Sequence, residues 1–325
     1  MNEVNIGFIG AGGIANHHAS KIINISEAKM VSVADIVFDK AKSFAERYGL
    51  KPYNDWREML DKEDLDAVWI CIPPYAHSDE VVRAAEKGIN IFIEKPIALN
   101  LDLALKMREA VEKAGVKSWV GYHFRQAYSI RYAKKMLIEE GGQIGLAIGR
   151  WWGGVVGGPS HWWRRKDKSG GQIIEQATHI YDLARFLVGE PERVYAEIDT
   201  IMFNDLENFT IEDVATTIVR FKNRAIGVIT NTSAAKRDGY RVDMEIIAKN
   251  LQIKLEGTDK SIIYRDKGHL EVYSKNDPYF DEDRKFIQCI LKDLESEVPI
   301  EEGLKTLRFG LAAIEASLRG GVVRL

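Results

Sequence analysis

Three groups of residues carry chemistry. The first is Gly10-Ala11-Gly12-Gly13-Ile14-Ala15, a G-x-G-x-x-A turn after the apolar run Val4–Ile9. Asp35 follows twenty residues past Ala15, at the end of a second apolar run, Met30–Ala34. Gly10 permits a tight turn. Gly12 lacks a Cβ, so backbone can approach a pyrophosphate held at the N-terminus of the helix that Gly13 and Ile14 open. Ala15 lets that helix lie close on the strand. Asp35 is placed to accept hydrogen bonds from the adenosine ribose. Strand, turn, helix, strand and acid in this register predict a bound dinucleotide; a glycine-rich turn without a ligand is the plainer alternative. An acid at Asp35 repels a 2′-phosphate, and Ile36 and Val37 offer no arginine to hold one, which favours NAD over NADP.

The second group lies at two strand ends. Cys71-Ile72-Pro73-Pro74-Tyr75-Ala76-His77 must leave a strand, because Pro73 lacks a donor and Pro74 cannot join a sheet. In an open α/β sheet that carboxyl edge is the ligand crevice. Cys71, Ile72, Pro73, Pro74 and His77 are therefore expected along the cofactor, although His77 could equally be a plain helix-start residue. Ile91-Phe92-Ile93 delivers Glu94-Lys95-Pro96 at the neighbouring edge, putting an ammonium where nicotinamide is expected, with Pro96 biasing Lys95 to extended backbone. Read bare, Lys95 is a surface lysine.

The third group is Glu175, His179 and Asp182, which follow Gly170-Gly171 in an otherwise apolar helical pattern reaching about Val188. Their spacing puts all three on one helix face. Histidine is the residue type suited to taking a hydroxyl proton near neutral pH, and Asp182 is expected to orient its other ring nitrogen. A surface Glu–His pair or a buried structural histidine are the alternatives. A Glu-x-x-x-His metal pair lacks a visible third ligand, so no metal is expected. Trp151, Trp152, Trp162 and Trp163 precede this segment with Arg164 and Arg165. Indole faces suit a sugar ring, and equally suit core packing or a subunit interface.

These residues need scaffolds. Up to about residue 121, apolar runs alternate with helical patterns: strands at Val4–Ile9, Met30–Ala34, Ala67–Ile72, Ile89–Ile93 and Ser118–Gly121, and helices at Asp55–Leu60, Lys40–Tyr48, Ser78–Glu86 and Leu101–Ala114. That is a doubly wound parallel sheet with crossover helices. Beyond it come a helix at Tyr128–Glu139, the Gly- and Trp-rich stretch, and successive strands between Arg193 and Tyr273 (Val214–Phe221, Ala225–Thr232, Val242–Ala248 and Leu251–Leu255). Two helices close the chain, Tyr279–Leu294 and Ile300–Leu318. The expectation is an α/β chain with a cofactor domain at 1–121. At 122–325 an α+β domain carries an open-faced, mostly antiparallel sheet.

The 325 residues carry 45 Lys+Arg against 48 Asp+Glu, a formal charge of −3, which leaves no footprint for nucleic acid or anionic membrane. Cys71 and Cys289 are the two cysteines, too few for a disulfide framework. Met1-Asn2-Glu3 leads straight into a strand, and no apolar run reaches membrane-spanning length. A cytoplasmic location is expected.

Taken together, Gly10–Ala15 with His18, Asp35, Cys71–Pro74, Glu94-Lys95-Pro96, Gly121-Tyr122-His123-Phe124-Arg125 and Gly170-Gly171…Glu175…His179…Asp182 make the chain resemble the Gfo/Idh/MocA oxidoreductases. The resemblance implies that Lys95 contacts substrate and nicotinamide and that His179 is the catalytic acid/base. It adds His123 and Glu94 to the cofactor contacts, Glu175 to the catalytic set beside Lys95 and His179, Arg125 and Glu175 to the substrate contacts, and a cis Lys95–Pro96 bond; of the four indoles Trp163 is the one expected on the substrate. It also implies a dimer or tetramer built through the second sheet. Glu175 stands where relatives more often have Asp, and His123 where many have Asn. The expected reaction moves hydride between nicotinamide and a secondary alcohol of a sugar, cyclitol or sugar derivative. Rival readings are a glycosidase- or epimerase-like enzyme that oxidises its sugar only transiently, and a non-catalytic dinucleotide sensor.

Overall fold

The computed structural model describes residues 3–325. The Met1-Asn2 start, expected to lead straight into a strand, lies outside them. The chain forms two compact units. One runs to Tyr122 and regains Tyr279–Leu304; the other comprises His123–Pro278 and Lys305–Leu325. Where a single division after residue 121 was expected, the chain passes between the units three times, because a late segment packs back with the first unit.

The first unit holds six strands: β1 (Val4–Ile9), β2 (Ala28–Ala34), β3 (Lys51–Tyr53), β4 (Ala67–Ile70), β5 (Asn90–Ile93) and β6 (Ser118–Val120). All pair in parallel in the order β3-β2-β1-β4-β5-β6. The order reverses between β1 and β4, so the crevice for a ligand opens at their carboxyl ends. Helices α1 (Gly13–Ile22), α2 (Phe38–Tyr48), α3 (Trp56–Lys62), α4 (Glu80–Glu86) and α5 (Leu101–Ala114) make the crossovers. Capping matches the local sequence: Asp55 and Asn100 accept from Arg57 and Leu103 N–H at 2.9 Å each, and Gly49 and Gly115 end α2 and α5 at positive φ. β3 was not expected, because Pro52 sits in its middle. It is tolerated at the sheet edge, where the missing donor faces no neighbour. β4 stops at Ile70, two residues short of the expected Ile72.

The second unit begins with α6 (Tyr128–Met136), which widens into a π-turn at Leu137–Gly141. Next come β7 (Ile144–Trp152), α7 (Lys166–Ser169), α8 (Gln172–Glu175) and α9 (Thr178–Leu187). Strands β8 (Pro191–Asp199), β9 (Val214–Phe221), β10 (Ile226–Thr232), β11 (Arg241–Ala248), β12 (Gln252–Glu256), β13 (Lys260–Arg265) and β14 (Gly268–Tyr273) follow. The chain closes with α10 (Pro278–Leu291), which belongs almost wholly to the first unit, α11 (Ile300–Arg319), which the unit boundary divides, and β15 (Val323–Arg324). The nine-stranded sheet has the order β14-β13-β12-β11-β7-β10-β9-β8-β15, antiparallel except for the β7–β10 pair. Alternation is clean on β9, where Ala215, Thr217, Val219 and Phe221 are covered and Ile218 is exposed. A Cβ on Gly149 would run into Ile180, so glycine at that β7 position lets α9 lie close on the sheet. β7, read from sequence only as Gly- and Trp-rich, is its central strand.

Residues 279–304 rejoin the first unit for a packing reason. Phe286 of α10 meets Trp69 edge-on at 5.4 Å, and Trp69 stacks on Phe92 at 5.3 Å with planes 6° apart. Trp69, Phe92, Trp119 and Phe286 are all fully buried. Large aromatic side chains contribute more buried area than any aliphatic residue, which anchors α10 in this core. Among the described residues no helix is long and apolar enough to cross a membrane.

Candidate active site

The dinucleotide signature folds into a cradle. Gly10 has φ +97°, and a Cβ there would collide with the Cys71 carbonyl; only glycine brings the β1–α1 turn this close to the end of β4. Gly12 caps α1 without a side-chain hydrogen bond, and the first turn carries no acid. A Cβ on Gly12 or Gly13 would meet nothing within 4 Å. Open space above uncapped helix N–H groups fits an incoming pyrophosphate. Ala15 is fully buried. Asp35 Oδ2 accepts Ala11 N–H at 2.9 Å and Oδ1 accepts Val37 N–H at 2.8 Å. A carboxylate has about four acceptor sites, so capacity for ribose hydroxyls remains while the carboxylate pins the turn. Ile36 is 85% exposed beside it.

At the two strand ends, Cys71 N–H still donates to Ile9 at 2.7 Å before Pro74–Ala76 turn away. His77 is buried, its Nδ1 2.5 Å from Glu80 Oε1. Burial pushes Glu80 up, but the His77 hydrogen bond and charge outweigh it and leave its carboxyl below the usual range. Glu94 and half-buried Lys95 follow β5, and the Lys95–Pro96 bond is cis. Glu94 has a partner the sequence did not predict: its Oε1 lies 2.9 Å from His18 Nε2, and its Oε2 accepts Lys95 N–H at 3.2 Å. His18 Nδ1 in turn lies 2.8 and 3.0 Å from the two oxygens of Asp283. Burial alone would lower the His18 pKa. The Asp283 charge and the hydrogen bonds to both carboxylates outweigh it and hold His18 well above the ordinary range. Glu282 lies beside them, fully buried, its carboxyl pushed well up by burial and by the neighbouring carboxylates.

In the second unit the expected single helix is broken. α8 ends at Glu175, Ala177 N–H reaches back five residues to the Gln172 carbonyl (2.8 Å), and α9 restarts at Thr178. Glu175 therefore does not share a continuous helix face with His179 and Asp182. Asp182 does not orient His179 either: Arg125 Nε and Nη2 grip its carboxylate at 2.7 and 2.6 Å, and Thr306 donates to it at 3.1 Å. A buried carboxylate needs a charged partner more than an imidazole does, and Arg125 supplies a bidentate one. Arg125, expected among substrate contacts, is 4% exposed and committed to that pair.

His179 is set by aromatic rings. Its imidazole lies 4.6 Å from Phe124 with planes 13° apart, 5.8 Å from Trp151 at 23°, and 4.9 Å from His123 edge-on. The structure thus brings His123 together with His179 in the second unit, whereas Lys95, Glu94 and the glycine turn belong to the first. Glu175 is buried. Trp152 donates to Thr230 at 2.9 Å within the sheet. Trp163 packs on His161 and Trp162, with its Nε1 buried and lacking a hydrogen-bond partner among the described residues.

Sequence reasoning missed Glu212. Gly170 and Gly171 both have positive φ, and a Cβ on Gly171 would run into the Glu212 carboxylate, which accepts Ile173 N–H at 2.8 Å. Glu212 therefore holds the start of α8, and burial pushes its carboxyl up. The only signal was the glycine pair, which marks a close approach without naming the partner.

A parallel sheet with an uncapped glycine turn, followed by a sheet that carries a buried imidazole on its covering helix, defines a dinucleotide-dependent two-domain enzyme. Residues 4–122 match the profile of the oxidoreductase family with NAD-binding Rossmann fold, and residues 132–262 match the GFO/IDH/MocA C-terminal domain. The chain belongs to this GFO/IDH/MocA oxidoreductase family. It is 28% identical to the myo-inositol 2-dehydrogenase of Thermotoga maritima over 322 residues, 95% of each chain. It is 29% identical to the scyllo-inositol 2-dehydrogenase (NAD(+)) of Bacillus subtilis over 252 residues, 76% of this chain and 72% of that one. In fold it resembles a solved levoglucosan dehydrogenase, in complex with NADH and L-sorbose, at a TM-score of 0.93 over 100% of this chain and 99% of the other, with 22% identity.

Proposed function

We propose that the chain is an NAD-dependent dehydrogenase that oxidises or reduces one secondary alcohol carbon of a cyclitol, sugar or sugar derivative. The observation carrying this reading is the imidazole of His179, buried on α9 against Phe124 and Trp151. Apolar rings beside a proton-accepting nitrogen suit a polyol whose C–H face packs on aromatic surface. The full-length likeness to a myo-inositol 2-dehydrogenase supports the substrate class.

In this reading Gly10, Gly12, Gly13 and Ile14 hold the pyrophosphate and Asp35 the ribose, with Ile36 against the adenosine. Cys71, Ile72, Pro73, Pro74, His77, Glu94 and His123 flank the remainder of the cofactor. Bound nicotinamide supplies hydride acceptance and donation. His179 takes the hydroxyl proton during oxidation and returns it in reduction, and Lys95 hydrogen-bonds the same hydroxyl. Glu175 and Trp163 contact the rest of the substrate. NAD is preferred because Asp35 would face a 2′-phosphate with no cation from Ile36 or Val37 to offset it. The location is cytoplasmic and the enzyme a homodimer or homotetramer. Its contact is the open face of the second sheet, where Tyr195, Ile218, Val228 and Ile148 form one cross-strand row.

The test is a screen of cyclitols and sugars for NAD⁺-linked absorbance change. Net NADH formation with at least one polyol is expected. Binding of NAD⁺ without turnover of any polyol would leave a sensor. Product formation with no NADH accumulating would favour the transient-oxidation rival.

A further inference from the structure

The buried chain of polar groups that ends at Lys95 has a direction. Trp69 Nε1 donates to Asp283 Oδ1 at 2.8 Å. Asp283 holds His18 Nδ1, His18 Nε2 holds Glu94, and Glu94 accepts the Lys95 N–H. The Glu94 carboxyl is wedged against Gly121, where a Cβ would come within 2.6 Å of Oε1. Every member lies in the first unit.

An imidazole whose two nitrogens both face ionised carboxylates donates to both only as the doubly protonated cation. His18 is 0% exposed, and as the cation it pairs with the Glu94 carboxylate, 7% exposed, away from water. Without that cation the buried Glu94 carboxylate would lose its charged partner and turn away. The Lys95 peptide would then lose its acceptor.

We propose that His18 and Asp283 are positioning residues for the reaction: as an imidazolium–carboxylate pair they hold Glu94, and through Glu94 they fix the peptide from which the Lys95 ammonium projects. The proposal rests on the reading of Lys95 as a substrate contact. Neither residue touches substrate, and both act through Glu94. The titratable groups facing His18 are Asp283, Glu282 and Tyr279 from α10, the last edge-on at 5.6 Å, and Glu94 after β5; the Cys71 thiol after β4 lies near the same carboxylates. Burial and the same three carboxylates push that thiol up, so it stays neutral. One oxygen of Glu282 lies within 4.8 Å of the facing His18 and Glu94 atoms, and neither of its oxygens makes a well-formed hydrogen bond, although the Trp119 indole N–H lies near. This suits a neutral, protonated acid that leaves the His18 charge to Glu94 and Asp283.

The decisive variant is Asp283→Asn, which keeps an acceptor for Trp69 and removes the charge that protonates His18. Turnover should stay within about threefold of wild type at about pH 6 and fall by about tenfold or more at about pH 8.5, where the variant imidazole is neutral. Fluorescence-measured NADH affinity should hold throughout. A loss equal at all pH values, or no loss, would overturn the proposal. On the wild-type enzyme, NMR of the His18 ring should show both nitrogens protonated at about pH 8; a singly protonated ring would overturn it without any variant. Retention of one divalent cation per chain that Glu282→Gln abolishes would do the same, since Nε2 would then carry the metal. Lys95→Met separates this proposal from the functional reading beneath it. If Lys95→Met turns over normally, the role of Lys95 itself fails. If it is inactive while Asp283→Asn follows the wild-type pH profile, only the positioning role fails.

Discussion

Arg125 holds Asp182 bidentately, at 2.7 and 2.6 Å, three residues along α9 from His179. The carboxylate nearest in sequence to the proposed base is thus committed to an arginine, and the His179 ring takes its orientation from Phe124 and Trp151. An aromatic wall fixes the plane of an imidazole without choosing its tautomer, so proton acceptance by His179 does not depend on Asp182.

His179→Ala should therefore lower turnover by about 10²–10⁴ while NADH affinity, measured by fluorescence, stays near wild type. Asp182→Asn should act differently, removing the bidentate carboxylate partner of buried Arg125 and lowering the melting temperature. If His179→Ala turns over like wild type, the general-base assignment fails.

The glycines of the cradle separate folding from binding. Gly10→Ala places a side chain at φ +97° against the Cys71 carbonyl and should cost roughly 1–3 kcal/mol of stability. Gly12→Ala puts its methyl into open space and should leave the melting temperature of the cofactor-free protein unchanged while weakening dinucleotide binding. Calorimetric titration beside thermal unfolding checks both, and unchanged affinity in Gly12→Ala would place the dinucleotide elsewhere.

Cofactor choice should respond to the residues after β2. Replacing Asp35 by Ser and Ile36 by Arg removes the anion and adds a cation for a 2′-phosphate. The ratio of kcat/KM values should move toward NADP by about tenfold or more. Some loss of stability accompanies it, because Asp35 also binds the Ala11 and Val37 N–H groups.

Glu282 makes stability depend on pH with a defined sign. Its folded pKa lies above its unfolded one, chiefly through burial. Folding therefore retains a proton that the unfolded chain releases above about pH 4.3. Its contribution is intact below that point and declines as pH rises toward the folded pKa, by up to about 1.4 kcal/mol per pH unit. Glu282→Gln removes this penalty, so the variant should gain stability over wild type increasingly from mildly acidic to neutral pH. Thermal unfolding at several pH values reads it directly; a difference independent of pH would mean Glu282 is not the titrating group.

The open sheet face predicts assembly. Ile218→Lys puts a charge in the middle of the Tyr195–Ile218–Val228–Ile148 row, where Ile218 is 47% exposed. It should convert the proposed oligomer to monomer by light scattering with little change in the fold. A wild-type chain that is already monomeric would refute the assembly.

Short-range chemistry was legible in the residues alone. The turn Gly10–Ala15, the acid at Asp35, the proline stop after Cys71 and the caps at Asp55 and Asn100 obey rules that reach only a few residues along the chain. The parallel sheet followed from the alternation of apolar runs. What stayed hidden depended on surfaces meeting at long range. Pro52 passes as a strand residue only because β3 is an edge. Gly149 makes sense only once α9 lies on β7. The break between Glu175 and Thr178 left no proline or glycine inside the helix to announce it. The partners of the buried charges were the least visible, since His18 and Asp283 are 265 positions apart. A buried ion takes whichever counter-ion packing brings within reach, and packing here returned α10 to the first sheet through Phe286 and Trp69. Residue types announced that a nucleotide would be held and a proton moved, while the folded core chose which side chains stand behind them.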